Sequence, residues 1–382
     1  MNKRIDWVRR NCRLLAAISE EFKREKPFAG KTIGTGIHLE PKTVALILTL
    51  QDGGAKLVST GNLNTTQQEA VDYLRERGAT VIGAPTRDLD EHRENLKRVL
   101  DHEPDLILDN GGDLFDLYLR DPYPGLLGGT EETTSGRMRL EPLRDRLRLP
   151  ILVINDSPIK QFAENEHAVG QSVLESYMRI TNRVTNGQRV TVFGYGACGK
   201  GVAANMRGAN AKVSVVDLDP LKRLQAHLDG YDTPSRLEAL ASADFIVTVT
   251  GGRNIIGDAD LAALKDGAIL ANAGHFPVEI DVAALRSSSL VTGRVQFEDG
   301  IESLTLSDGR TIHILSEGHM FNLAGPRPMG NSIESMDLGF ALQARSLEVV
   351  ALGKAKADAC VVPVPRDIDE RVANDYLDAH YR

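Results

Sequence analysis

The chain has 382 residues, with 45 Lys plus Arg against 53 Asp plus Glu and a formal net charge of −8. This length fits two or three domains, and 42% hydrophobic with 26% charged residues excludes disorder across the whole chain. The acidic balance, with no basic stripe, argues against nucleic acid as a partner, and no apolar run reaches the roughly 18 residues that a membrane span needs.

Along the chain, short β-type runs first alternate with helical patterns. Residues 43–50 (TVALILTL) are apolar enough for a buried helix, and 55–59 (AKLVS) read as a strand. Residues 67–77 predict a helix, 80–83 a strand, 92–102 a helix, and 106–108 and 151–154 two further strands. This alternation implies an α/β unit with a largely parallel sheet. A long amphipathic helix is predicted over 166–182. After Asn186-Gly187 come a strand over 189–193 (RVTVF), a Gly-rich turn, a helix over 200–208 and a strand over 212–216 (KVSVV). Residues 245–249 and 268–270 extend the same pattern, giving a second α/β unit from about 170 to 325, before 331–350 turns helical again. Cys12, Cys198 and Cys360 form no CxxC pair and no disulfide framework, and the charged N-terminus is no signal peptide. A cytoplasmic protein is therefore expected.

The strongest motif is Gly194-Tyr195-Gly196-Ala197-Cys198-Gly199, a GxGxxG between a predicted strand and a predicted helix. Gly194 allows the tight turn, Gly196 lets the backbone approach a pyrophosphate, and Gly199 lets helix and strand pack closely. The helix N-terminus offers free N–H donors to the anion. Asp217 ends the next strand, 18 residues after Gly199, where a carboxylate can accept from a ribose 2′-hydroxyl and disfavour a 2′-phosphate. The pattern points to NAD.

This loop belongs to a wider set of strings: Ile154-Asn155-Asp156-Ser157 through Lys160, Asn272-Ala273-Gly274-His275 through Asp281, and Leu108-Asp109-Asn110-Gly111-Gly112-Asp113. To these add Glu131-Glu132-Thr133-Thr134, Asn62 with Gln67, and Glu317-Gly318 with Asn322-Leu323. Together they resemble the S-adenosyl-L-homocysteine hydrolase family, from about residue 30 to about residue 375. The resemblance implies an NAD-dependent enzyme that oxidises a ribose 3′-hydroxyl, so that the C4′ proton becomes acidic. A 5′-thiol then leaves, water adds, and the stored hydride returns. It implies Lys160 at the 3′-hydroxyl as base or proton relay, a role that needs a lysine made less basic by burial or positive neighbours. Glu132 would hold the ribose hydroxyls, and His38 and His275 would serve acid–base steps along the sugar edge. Thr133, Thr134, Asn165, Asn272 and Asn322 would contact NAD.

Several positions depart from the family pattern. Asn110 stands where the family has a catalytic aspartate, and it cannot accept a proton at neutral pH. Glu164 replaces an aspartate four residues after the lysine, and Val169 replaces a cysteine. At the base-recognition end, Glu40 takes a usual Thr position and Lys42 the place of a Glu or Gln that reads adenine, beside Thr43. A cation cannot accept from an exocyclic amine, but it can donate to a carbonyl or pair with an acid. The loop 325–332 (GPRPMGNS) lacks the family's base-side histidine, and the family's longer tail is not matched.

The expected architecture is a discontinuous α/β substrate domain (1–170 and 329–350) with an inserted Rossmann NAD-binding domain (171–328) and a short C-terminal tail (351–382). Hinges are expected near Gln171 and 325–330. The expected function is adenosylhomocysteinase-like hydrolysis of a small nucleoside-like thioether by a homo-oligomer, dimer or tetramer, with no bound metal. Two alternatives stand beside it: an NAD-dependent paralogue that oxidises a different nucleoside or sugar, and a catalytically quiet NAD-binding regulator.

Overall fold

Two sheets account for the alternating strand and helix signals, one in each of two units: residues 1–161 with 333–382, and residues 162–332. The computed structural model describes residues 2–297, 300–356 and 358–381. The first unit begins with strands β1 (Thr32–Ile37), β2 (Lys56–Gly61), β3 (Thr80–Ile82), β4 (Leu106–Asp109), β5 (Gly128–Glu131) and β6 (Ile151–Val153). The second holds β7 (Arg189–Phe193), β8 (Lys212–Val216), β9 (Phe245–Thr248), β10 (Ile269–Asn272), β11 (Val291–Phe297), β12 (Ile301–Leu306) and β13 (Thr311–Leu315). The chain then returns to the first unit with β14 (Val362–Pro363).

The first sheet is wholly parallel, in the order β14-β6-β5-β4-β1-β2-β3. Its interior strand β1 (TIGTGI) is not legible in the hydrophobic pattern, because two of its six positions are glycine. Packing explains Gly36: a Cβ there would lie 2.9 Å from Leu96 Cδ2, so the helix Leu89–Leu100 could not settle onto the sheet. Strand order reverses between β4 and β1, and ligands of open parallel sheets gather at the carboxyl end of such a switch point.

The helix Pro41–Asp52 is buried on all sides over its first ten residues, as its unbroken apolar run requires. It packs against the helices Lys3–Asn11, Arg13–Glu25 and Ile333–Ala351. The last of these is the return helix, and it carries polar groups into the core to satisfy specific partners. Asp337 accepts from the backbone N–H of Leu14 at 2.8 Å and of Leu15 at 3.0 Å. It thereby caps the helix Arg13–Glu25, whose own N-cap, Cys12, supplies no side-chain hydrogen bond. Burial pushes the Asp337 carboxyl up to about 6. Gln343 accepts from Thr130 on β5 at 2.8 Å, and Arg345 pairs with Glu21 and Glu348.

The C-terminal segment adds structure to this unit: β14 extends the sheet beside β6, and the helix Arg366–Tyr381 sends Asp369 to the Ser157 hydroxyl.

In the second unit the order is β11-β12-β13-β10-β9-β7-β8. Strands β8, β7, β9, β10 and β13 are parallel, the nucleotide-binding half of a Rossmann-like sheet, while β11, β12 and β13 form an antiparallel meander that periodicity did not predict. The amphipathic helix expected over 166–182 starts later, at Val169–Thr181, and a π-helical stretch over Lys160–Ala168 precedes it. Such wide turns re-aim side chains and cluster at functional sites. Among the described residues, no helix is long and apolar enough to cross a membrane.

Removing the cap carboxylate by Asp337→Ala leaves two N–H donors at a buried helix end. This is expected to lower unfolding free energy by about 1–2 kcal/mol in urea titrations, with no effect on NAD binding by the second unit.

Candidate active site

The carboxyl ends of five neighbouring strands in the first unit deliver polar side chains to one edge of the sheet. His38 follows β1, Asn62 follows β2, Asn110 follows β4, Glu132 follows β5, and Lys160 lies one turn beyond β6. All but His38 are buried.

Four of them form one chain of hydrogen bonds. Asn62 Nδ2 donates to Asn110 Oδ1 at 3.0 Å, and Asn110 Nδ2 donates to Glu132 Oε2 at 2.7 Å. Lys160 Nζ donates to Glu132 Oε1 at 3.1 Å. Both oxygens of Glu132 therefore receive donors. Asn110 is oriented at both ends, as the acceptor for Asn62 and the donor to Glu132. An aspartate at 110 could not make that second bond while ionised. Lys160 meets a carboxylate where the sequence reading asked for burial or positive neighbours, and of these two the structure supplies burial.

His38 is oriented by Thr65. The Thr65 hydroxyl donates to the Asn62 carbonyl at 3.3 Å and lies 2.6 Å from His38 Nδ1. Thr43, expected at the substrate, spends its hydroxyl on the His38 carbonyl at 2.6 Å. Lys42 and Glu40 pair with each other at 2.8 Å.

Beneath this layer lies a second one that sequence reasoning missed. Asp109 and Glu131 directly precede Asn110 and Glu132, and strand alternation turns them to the opposite face. Asp109 accepts from the N–H of Asn110 at 2.9 Å and of Phe115 at 3.1 Å. Glu131 accepts from Gly111 N–H at 3.0 Å, Gly112 N–H at 2.9 Å, and Thr133 N–H and hydroxyl at 2.7 and 2.8 Å. Burial, with the field of Asp113 on Asp109 and that of Asp109 on Glu131, pushes Asp109 up to about 7 and Glu131 well above the usual carboxylate range. The available signal was Glu131-Glu132, two adjacent acids at a strand end that alternation turns to opposite faces. Thr133 also accepts from Gly136 N–H at 2.9 Å as the N-cap of the helix Thr134–Leu140, and Thr134 donates to Asn155 at 2.9 Å.

In the second unit, Gly194 follows β7 with φ +104°, and a Cβ there would lie 2.8 Å from the Val249 carbonyl. A Cβ on Gly199 would lie 2.0 Å from the Gly194 carbonyl, so the turn can close only with glycine. Gly196 differs: a Cβ there would meet nothing within 4 Å. That open space faces the start of the helix Ala197–Gly208, whose N-cap Gly196 offers no side-chain acceptor. Asp217 accepts from Tyr195 N–H at 2.7 Å and Asp219 N–H at 2.9 Å, clamping the glycine loop to the end of β8.

Asn272 lies at the carboxyl end of β10 and is fully buried. Its Nδ2 donates to the carbonyls of Gly274, Phe276 and Gly318 at 3.2, 3.0 and 3.0 Å, and its Oδ1 accepts from Gly274 N–H at 2.7 Å. This residue ties two loops together. Glu279 does the same after β9: its carboxylate accepts from Thr250 N–H and hydroxyl at 2.9 and 2.8 Å and from Gly251 N–H at 2.8 Å. Burial raises its pKa. His275 stands half-buried with its ring edge-on to Phe276, 4.5 Å between centroids. Asn322 donates from Nδ2 to Ser172 at 2.9 Å, while its buried Oδ1 accepts no hydrogen bond among the described residues. Such an orphan acceptor is the complement of a carboxamide N–H, so the donor and acceptor set of this unit fits a dinucleotide. Glu164 is buried and Asn165 half-buried, both on the π-helical stretch.

Comparison with known proteins agrees. The profile described as "S-adenosyl-L-homocysteine hydrolase" matches residues 2–123, and "S-adenosyl-L-homocysteine hydrolase, NAD binding domain" matches residues 165–327. An adenosylhomocysteinase of Thermotoga maritima is 41% identical over 98% of this chain and 94% of its own length. An S-inosyl-L-homocysteine hydrolase of Methanothermobacter thermautotrophicus is 39% identical over 99% and 91%. An adenosylhomocysteinase of Aquifex aeolicus is 38% identical over 99% and 91%.

Two outcomes follow from the geometry of the first unit. Asn110→Asp would place a second carboxylate at a hydrogen-bond distance from Glu132. The two are expected to share a proton, adding to the rate–pH profile an ionisation above the usual carboxylate range that the wild type lacks. Asp109 carries a raised pKa in the folded state, so its contribution to stability is present below about pH 4 and lost as pH rises toward 7. Asp109→Asn should therefore flatten part of the decline in thermal midpoint over that interval, read as the difference between variant and wild-type scans.

Proposed function

The chain belongs to the S-adenosyl-L-homocysteine hydrolase family, and from that premise we propose that it cleaves the 5′-thioether of a purine nucleoside by reversible oxidation at C3′. NAD is the cofactor of this family's second domain, and when bound it takes up and returns the C3′ hydride. The single observation that carries the reading is the buried chain Asn62–Asn110–Glu132–Lys160 at the switch point of the first sheet.

Its chemistry suits a ribose diol. Glu132, with one donor on each oxygen, has lone pairs left to accept from the 2′- and 3′-hydroxyls. Lys160, fixed by Glu132, moves the 3′-hydroxyl proton. Asn110 keeps Glu132 in place and takes no proton itself, so acid–base work at C4′ and C5′ falls to His38 and His275. Glu164 supplies charge on the wide-turn segment that follows Lys160. Gly194, Gly196 and Gly199 form the pyrophosphate turn, and Asp217 accepts from the adenosine ribose of NAD. Thr133, Thr134, Asn165 and Asn322 complete the cofactor contacts, with the Asn322 oxygen accepting from the carboxamide. Asn272 acts one step back, by fixing the loop that carries His275. Glu40, Lys42 and Thr43 belong to the substrate side.

The relatives' names divide between adenosyl and inosyl substrates, which differ only at the six-position of the purine, and the thioether reading holds for either. We also place the enzyme in the reducing cytoplasm, supported by free cysteines at 12, 198 and 360. We take it to be a homo-oligomer, supported by the exposed row Leu221, Leu224 and Leu228 on one helix.

The test is to mix NAD-loaded protein with thioether nucleosides and follow both reduced-nicotinamide absorbance and thiol release. Both signals are expected. Lys160→Met should lower the rate of each at least ~100-fold while NAD stays bound. Absorbance without thiol would move the protein to the oxidising paralogue, and silence in both would make it a binding protein.

A further inference from the structure

The polar groups of the first unit stand in a row along the carboxyl edge of its sheet: Lys160 beyond β6, Glu132 beyond β5, Asn110 beyond β4 and His38 beyond β1. The row continues onto the loops after β2 and β3, whose outer residues the chemistry above does not use. Those two loops are tied together. Asn64 adopts a left-handed conformation (φ +56°), which asparagine tolerates better than most residues. Its backbone N–H donates to the Thr86 carbonyl at 2.9 Å, and its Oδ1 accepts from Arg87 Nε at 3.1 Å. The next residue, Thr65, meets His38 Nδ1 at 2.6 Å. The exposed guanidinium of Arg87 is thus anchored to the neighbour of the residue that orients the histidine.

We propose that Arg87 binds the α-carboxylate of the amino acid carried on the departing thiol. The inference rests on the thioether reading, in which His38 works at C5′, where the sulfur leaves. From that sulfur the carboxylate of an extended homocysteine chain lies about 5 Å away, a reach comparable with the step from Thr65 to Asn64 and its bound guanidinium. A guanidinium presents a planar fork that matches a carboxylate through two parallel hydrogen bonds, which an ammonium cannot do. Other cations near this end have partners in the fold: Arg75 donates to the carbonyls of Val81 and Gly83, and Lys42 pairs with Glu40. Acids share the Arg87 loop, Asp88 as N-cap of the helix Leu89–Leu100 and Glu91 as acceptor for the Thr86 hydroxyl, so a zwitterion meets both signs of charge there. Exposure suits such a ligand. Its two charges keep part of their water, and the desolvation cost of a buried ion pair is avoided.

Stapling the two loops is the other role open to Arg87. A staple alone is blind to the substrate's carboxylate, and the two roles separate on that point.

The experiment uses NAD-loaded full-length enzyme and two thioethers of one nucleoside, one carrying homocysteine and the other its decarboxylated counterpart, 3-aminopropanethiol. Adenosyl and inosyl forms are both run, with thiol release as the readout. The wild type is expected to show a KM at least ~10-fold lower for the carboxylate-bearing compound, with kcat within about threefold. Added salt should weaken that preference, because an exposed ion pair is screened. Arg87→Met should erase most of it by raising only the homocysteine KM, and should leave oxidation of the bare nucleoside, read as reduced-nicotinamide absorbance, unchanged. Arg87→Lys, which keeps the charge without the fork, should fall between the two. An equal rise in KM for both thioethers in Arg87→Met would assign Arg87 to the loop staple and overturn the inference. A wild type indifferent to the carboxylate would overturn it too, and either result leaves the thioether reading intact. No thiol from any of these compounds with the wild type would remove that reading and the inference with it. If Arg87→Met does not fold, the wild-type comparison and its salt dependence decide the matter alone.

Discussion

Glu132 is the group on which the buried hydrogen-bond network of the first unit depends. Its two oxygens are divided between an amide and an ammonium, at 2.7 and 3.1 Å. A buried carboxylate survives as an ion only when donors surround it, and hydrogen bonds to charged groups contribute about 1.5–3 kcal/mol each. The same division sets the orientation of Asn110, aligns Lys160, and through Asn110 reaches Asn62 at the end of β2, three strands from β5. The neighbouring peptide gives a second acid the opposite task. Glu131 faces away and binds four donors of the Gly111–Gly112 and Thr133 turns. One acid meets the ligand edge and the other holds the backbone that presents it.

The second unit uses the same economy with different residues. Asn272 and Glu279 together fix the loops after β9 and β10, much as Glu131 and Asp109 fix those after β4 and β5. In both sheets the strand ends are therefore held by buried polar side chains that a ligand does not need to touch. Loops held in this way keep their geometry without substrate, which lowers the entropy cost of reaching a reactive arrangement. Asn110 fits this scheme as an orienting amide. It accepts from Asn62 and donates to Glu132, so both ends of its side chain are fixed.

Much of the fold could be read directly. The alternation of strands and helices, the buried helix after β1 and the glycine loop after β7 were all legible, because hydrophobic periodicity and glycine spacing are local properties. Strands β1 and β5 were not. Both owe their glycines to neighbours distant in sequence, Leu96 beside Gly36 and the Ile107 carbonyl beside Gly129, and neither neighbour leaves a mark in the strand itself. The meander β11–β13 escaped for a related reason: its exposed strand Val291–Phe297 carries few buried residues to set a period.

For the site, the sequence by itself supplied residue types and order: the dinucleotide turn, the Lys160 and Glu132 strings, and the unusual Asn110, Glu40 and Lys42. Covalent spacing and a recognisable family pattern suffice for that. Tertiary structure alone decided which residues meet. Asn110 could be a crippled acid or an oriented amide until Asn62 and Glu132 stood on either side of it. Lys42 was a cation with an unknown partner until Glu40 lay 2.8 Å away with both side chains out of water. Pairing of this kind is set by which strand ends adjoin across a sheet and by how much solvent is excluded there. Neither quantity exists along a single chain until it folds.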